Sequence, residues 1–297
     1  MLARLFSSSP ATAIQDLAAW RRAHQELTSG VASTVARALV AGAAADRPGW
    51  AFASGYAEAL RHLVPSVGDR AVALAATEAG GAHPRAIETR LAPGPGGALQ
   101  LDGDKRFVTL ASICEAVIVI AREGEDAAGR PRLAAVIVPL AREGVEVRPL
   151  PPTPFAPEIP HCAVALRGVA VAPGERLPGD GYDDLLKPFR TVEDIHVVGA
   201  ITGYLCAALS RAAAPPDHAE ELATVAAALL ALGAADPRAA ATHRALGGAL
   251  AALERALARA GPHLAGDAAW QRDRPILQVA SKVRVARLEA ARAKMAG

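Results

Sequence analysis

Cysteine, aromatic residues and any excess of one charge are all scarce in this chain of 297 residues. Its three cysteines, Cys114, Cys162 and Cys206, lie far apart and form no C-x-x-C pair. That spacing argues against a disulfide framework or a zinc knuckle and for buried thiols in a reducing compartment. Lys and Arg number 32 against 30 Asp and Glu, a net charge of +2, so charge implies no nucleic-acid or membrane-surface partner. Aromatic residues make up 4% while hydrophobic residues reach 52%, largely through alanine, which predicts helices packed closely through small side chains. No strongly apolar run approaches the ~18 residues of a membrane span. Met1 to Pro10 contains Leu2, Leu5 and Phe6 but no long apolar core of a secretory leader, so the expected location is cytoplasmic. There is no G-x-G-x-x-G or Walker A pattern, and Ser7 to Ser9 lack a nucleophile-elbow context. The eight histidines show no metal-ligand spacing, so no metal site is expected.

What is present divides by periodicity. Ile14, Leu17, Ala18, Val31, Val35, Leu39 and Val40 recur at helical spacing within 11–63, and a further helix opens at Trp50, Phe52 and Tyr56. From Arg70 to Val171 the pattern changes to short apolar runs separated by turn residues: 116–121, 133–139, 145–148 and 162–166. A polar hairpin tip falls at 123–130, and the whole stretch reads as an antiparallel barrel or small sandwich. Beyond Tyr182 four helical segments follow, at 189–209, 220–232, 237–260 and 276–294, the pattern of an up-down bundle. The last places Ile276, Val279, Val283 and Leu288 on a face suited to the bundle or to another subunit. Helix, sheet and helix in that order argue for segregated α and β parts, not a doubly wound fold. The expected division is 1–69, 70–180 and 181–297.

The stretch with most chemistry runs from Thr77 to Thr109. T-E-A-G-G-A-H-P leaves a strand end and enters a turn at Gly80 and Gly81, a glycine pair that permits close approach to a ligand. L-D-G-D-K-R-F-V-T then reads as a hairpin turning at Asp102-Gly103. Phe107 and Thr109, two apart on one strand, share a face and offer a planar heterocycle a flat ring and a hydroxyl. An ordinary buried hairpin is the competing reading. His83 sits in the same turn, either to donate to a phosphate or ring carbonyl or to cap the turn at Pro84.

These two motifs resemble the middle domain of the acyl-CoA dehydrogenase family, whose pattern is T-E-P-x-x-G-S-D followed by L-x-G-x-K-x-W-I-T. The resemblance implies FAD as cofactor, with Thr77, Gly81, Phe107 and Thr109 on matching positions; Gly80 and His83, in the same turn, complete the expected flavin-binding set. The chain departs from the pattern in having Ala79 for the proline, a turn one residue shorter, Ala82-His83 for Gly-Ser and Phe107 for Trp. The implied fold is α+β and multidomain: an N-terminal helical part, abbreviated here, a middle antiparallel β-barrel and a C-terminal four-helix bundle.

The implied chemistry, α,β-dehydrogenation of an acyl-CoA thioester, needs a carboxylate for the α-proton in a dry site while hydride leaves the β-carbon. No late Y-E-G-T-like motif occurs. Setting G-A-I-T-G (Gly199 to Gly203) against the segment used by family members with their glutamate on the first bundle helix places Glu193 as the base. A helix-start acid that offsets the dipole is the alternative for Glu193, and a core histidine is the favoured reading of His196. Electron-transfer flavoprotein as acceptor and a homo- or hetero-oligomer are implied with it. The family's R-x-x-F-G and Q-x-x-G-G-x-G are missing, since Arg211 precedes Ala-Ala-Ala-Pro-Pro. Either the adenine end is bound differently, a partner chain supplies the contacts, or the flavin is lost. That last case leaves a non-catalytic subunit or scaffold of the same fold.

Overall fold

The computed structural model describes residues 13–296. The leader and Ser7–Ser9 readings, and the first two residues of the expected N-terminal helical stretch, lie outside them. The chain falls into two compact units. One comprises Leu63–Pro152 and Ile159–Arg190, and the other, of the described residues, 13–62, Thr153–Glu158 and 191–296.

The first unit is a seven-stranded sheet: β1 Val72–Ala75, β2 Arg90–Pro93, β3 Leu99–Thr109, β4 Ala116–Glu125, β5 Pro131–Pro139, β6 Val145–Pro149 and β7 His161–Ala170. In β4 and β5 the runs 116–121 and 133–138 are buried without alternation, as strands covered on both faces must be. Val117, Val119, Val136, Val138, Val164 and Leu166 meet in one core. Each such side chain contributes about 1.5–3 kcal/mol by leaving water.

The expected antiparallel barrel is corrected in two respects. The sheet is mixed, because β4 runs parallel to β1 and β2 and antiparallel to β5. It is also open, a curled half-barrel in the order β1-β4-β2-β3-β7-β6 with β5 outside β4. A covered edge explains why it does not close. Ile137 donates its N–H to the Glu175 carbonyl at 2.8 Å and Leu177 donates to Ala135 at 2.8 Å, so the segment after β7 occupies the backbone groups of β5. An edge already hydrogen-bonded has nothing to offer another strand.

The second unit is helical, built of α1 Leu17–Thr28, α2 Thr34–Ala44, α3 Pro48–Leu63 except Leu63, α4 Lys187–Arg211 from Thr191 onward, α5 Pro216–Leu232, α6 Ala240–Leu264, α7 Ala268–Asp273 and α8 Ser281–Ala296. Asp16 and Ser33 cap α1 and α2 through their side-chain oxygens. Pro215 and Pro216 end one helix and start the next at the position a proline tolerates. The four C-terminal segments form helices, but they do not stand apart as a four-helix bundle. Helix α4 instead packs on α2, where a Cβ on Gly203 would lie 2.2 Å from the Leu39 carbonyl oxygen. Only glycine allows backbones so close. The apolar stretch 181–211 is long enough to cross a membrane by length and composition, yet 94% of its apolar window is buried inside the protein. That is the signature of a core helix.

Candidate functional site

The turn after β1 is built around a carboxylate. Glu78 and Gly81 exchange both backbone hydrogen bonds, each 3.0 Å, and Gly81 adopts φ 100°, a conformation open to glycine. The Glu78 side chain points inward. It accepts from the backbone N–H groups of Glu88 at 2.7 Å and Thr89 at 3.1 Å, and from Lys105 Nζ at 2.5 Å. Lys105 is fully buried and donates a second bond to the Ile120 carbonyl at 2.5 Å. Burial pulls the Lys105 pKa down to about 8 against the opposing pull of Glu78. Burial pushes Glu78 upward, but Lys105 and the two backbone donors outweigh it and hold the carboxyl below its usual range. The pair locks together the turn, the start of β2, and strands β3 and β4.

Thr77 sits at the mouth of this turn, and its carbonyl accepts from Arg106 N–H at 2.8 Å. Gly80 is exposed and packs against Ala86, where an added Cβ would come within 3.1 Å of its methyl. His83 is exposed and caps the short 3-10 turn Pro84–Ala86, its Nδ1 accepting from Arg85 N–H at 3.2 Å.

The expected hairpin at Asp102-Gly103 does not form. β3 runs straight through both residues, and the turn from β2 to β3 lies at Gly94–Ala98. Asp102 accepts instead from Gly168 N–H of β7 at 2.7 Å, and Gly103, at φ 153°, makes room for Thr89, which a Cβ would touch at 2.4 Å. The irregularity in pairing here puts the extra residue on β7, between Val169 and Leu166, where Gly168 adopts φ 57°, and β3 continues through Asp-Gly unbroken.

A second bulge decides where Phe107 goes. Between Lys105↔Val164 and Val108↔Cys162 the pairing with β7 takes one extra residue on β3. Phe107 adopts φ 53°, a region a non-glycine residue rarely enters, and is 58% exposed. The extra residue reverses the alternation, so Lys105 faces the core while Phe107 faces outward. Thr109, 9% exposed, is paired directly with His161, and its Oγ1 lies 3.2 Å from His161 Nδ1. The His161 ring also meets Phe107 edge to face, with centroids 6.4 Å apart and planes at 66°. Burial lowers the His161 pKa below its usual value.

The structure thus gathers Thr77, Gly80, Gly81, His83, Phe107 and Thr109 in the sheet unit. Glu193 belongs to the helical unit, half-buried on α4. Beside it Asp194 is buried and held by Arg284 at 2.7 Å and Arg287 at 2.5 Å, which pins α8 to α4. One turn on, His196 is a core histidine. Its Nδ1 donates to the Val192 carbonyl at 2.7 Å, its Nε2 lies 2.9 Å from Thr34 Oγ1, and burial pushes its pKa down to about 3. All three cysteines are free thiols, and among the described residues no cluster of His, Cys, Asp and Glu could hold a metal.

Sequence reasoning missed Glu78, Lys105 and His161. The first two stand inside the motifs already singled out. A lysine sharing strand parity with the inward-facing Leu101 was a legible sign of a buried charge in need of an acid. No local signal marks His161, because only the β3–β7 register brings it to Thr109.

Residues 73–169 match the family described as acyl-CoA dehydrogenase, middle domain. No protein among the curated sequences matches the chain. Among solved structures, butyryl-CoA dehydrogenase from Megasphaera elsdenii superposes with a TM-score of 0.72 at 15% identity, covering 94% of this chain and 90% of that one. FMN-bound TdsC from Paenibacillus sp. A11-2 gives 0.67 at 16%, covering 92% and 88%. The FAD complex of PigA gives 0.60 at 15%, covering 96% and 84%. At these identities the structural likeness speaks to fold alone. Residues 73–169 therefore match an acyl-CoA dehydrogenase middle domain, and the chain as a whole carries an acyl-CoA dehydrogenase-like fold.

Proposed function

We propose that this protein is a flavin-dependent oxidoreductase, an acyl-CoA dehydrogenase acting on an acyl-CoA thioester. The observation that carries the reading is the outward-facing Phe107 ring at φ 53° beside Thr109, next to a glycine turn clamped by the Glu78–Lys105 pair. A strained aromatic turned out of a strand is costly without a ligand face to serve. It is the shape a planar ring system would use. The fit is supported by two structures of similar fold that hold a flavin, FMN-bound TdsC and the FAD complex of PigA. FAD is the cofactor the motif resemblance implies, and a bound flavin supplies a hydride acceptor.

Toward that group, Phe107 offers stacking, Thr109 a hydroxyl, and the Thr77–Gly81 turn backbone groups, with His83 at its rim. Glu193 is the proposed base, taking the α-proton on its carboxylate as hydride leaves the β-carbon. Electron-transfer flavoprotein as acceptor and an oligomeric assembly belong to the same proposal. A second reading is favoured by one observation: α4 ends at Arg211 and turns through Ala213, at φ 49°, into Pro215, with no R-x-x-F-G segment. A protein without the adenine contacts would be a non-catalytic subunit of the same fold.

The test is the visible absorbance spectrum of the purified protein after reconstitution with FAD or FMN, followed by an acyl-CoA screen. Glu193→Gln is expected to keep the flavin band and lose at least about 10²-fold in turnover, the scale of a general-base contribution. A protein that stays colourless, alone and with a partner chain, sinks the flavin reading.

A further inference from the structure

Thr109 and Phe107 share one neighbour that neither the motif nor the proposed chemistry names. His161 lies opposite Thr109 in register, 3.2 Å from Thr109 Oγ1 to His161 Nδ1, while its ring edge backs Phe107. Its own position is fixed from both sides, since Leu150 N–H donates to the His161 carbonyl at 2.8 Å and Leu110 N–H donates to the adjacent Pro160 carbonyl at 2.9 Å. Half-buried and neutral at neutral pH, the imidazole carries one proton on one of two nitrogens.

The choice of nitrogen matters for Thr109. With the proton on Nε2, the Nδ1 lone pair accepts the Thr109 hydroxyl hydrogen, and Thr109 can then only accept from a ligand. With the proton on Nδ1, His161 donates to Thr109 Oγ1, and the hydroxyl hydrogen is left to donate outward. A carbonyl or an unprotonated ring nitrogen at the edge of a heterocycle stacked on Phe107 is an acceptor and so requires the second arrangement. We infer that His161 is a positioning residue: it donates through Nδ1 to Thr109, turns that hydroxyl into a donor toward the planar ligand, and holds Phe107 at the angle for stacking. This rests on the flavin reading above.

The experiment compares His161→Asn and His161→Asp for flavin affinity, read by fluorescence quenching on the reconstituted full chain, with folding checked by circular dichroism. Asn places an N–H donor where Nδ1 stands, whereas Asp places only acceptors there and takes the Thr109 hydrogen. His161→Asn is expected to bind flavin within about threefold of the wild type and His161→Asp about tenfold more weakly, the scale of one hydrogen bond. In a Thr109→Val background the difference between Asn and Asp is expected to vanish. Equal affinity of both variants, or a difference that survives in Thr109→Val, overturns the role of His161 and leaves the flavin reading standing. A wild-type chain that binds neither FAD nor FMN overturns both.

Discussion

At the scale of single residues, two buried charges and one buried histidine govern how the protein responds to substitution and acid. Lys105 cannot lose its partner cheaply, because Glu78 would remain charged in a dry site with only two backbone donors. Breaking such a pair from one side costs about 3–5 kcal/mol. Lys105→Met is expected to lower the denaturant midpoint accordingly, and Glu78→Gln combined with it is expected to recover part of the loss. A double variant no better than the single one would show that the pair is not coupled. His196 provides a signature in pH. Its folded value of about 3 lies below the ordinary ~6.5 of an unfolded chain. Between those values the unfolded chain binds a proton that the folded one refuses, so this group's effect is to lower stability as pH falls from ~6.5 toward 3. The His196 imidazole signals are expected to stay neutral in NMR spectra down to pH ~5, and a titration near ~6.5 would contradict the buried placement.

At the scale of elements, the contact of α4 with α2 rests on one glycine more than on its neighbour in the same motif. A Cβ on Gly203 would fall 2.2 Å from a backbone oxygen that cannot move aside, while one on Gly199 would meet the side chains of Val35 and Leu39 at 3.7 and 3.8 Å. Gly203→Ala is therefore expected to destabilise by about 1–3 kcal/mol through overpacking. Gly199→Ala is expected to be near neutral or mildly stabilising, since alanine suits a helix better than glycine does. Thermal unfolding of the two variants side by side checks this, and equal effects would refute the asymmetry. The sequence showed both glycines as part of one segment. It did not show which of them met a backbone.

At the scale of the whole molecule, a ligand that binds the folded chain stabilises it by mass action. At a free concentration 100 times its dissociation constant, a flavin is expected to add about 2.7 kcal/mol and raise the melting temperature with concentration. Absence of any concentration-dependent rise would count against the flavin reading independently of colour or turnover. The helical part holds the exposed Val279, Val283 and Val285 at and near the start of α8.

The sequence alone determined what depends on local periodicity and on short motifs. Runs of β-branched and apolar residues became β4, β5 and β7, the helical segments became helices, and T-E-A-G-G with L-D-G-D-K-R-F-V-T marked the middle domain. Both bulges in the β3–β7 pairing, one on each strand, lay beyond it, because a bulge is a property of two strands in register, not of one. So Asp102-Gly103 read as a turn when β3 runs on through it, and the reversal that sends Lys105 inward and Phe107 outward was invisible. Only the tertiary structure could place Glu78 on Lys105 across 27 residues, or His161 against Thr109 across 52, since those meetings are fixed by strand pairing and burial. It also left the sheet open, because the segment after β7 had already taken the hydrogen bonds that closing a barrel would need.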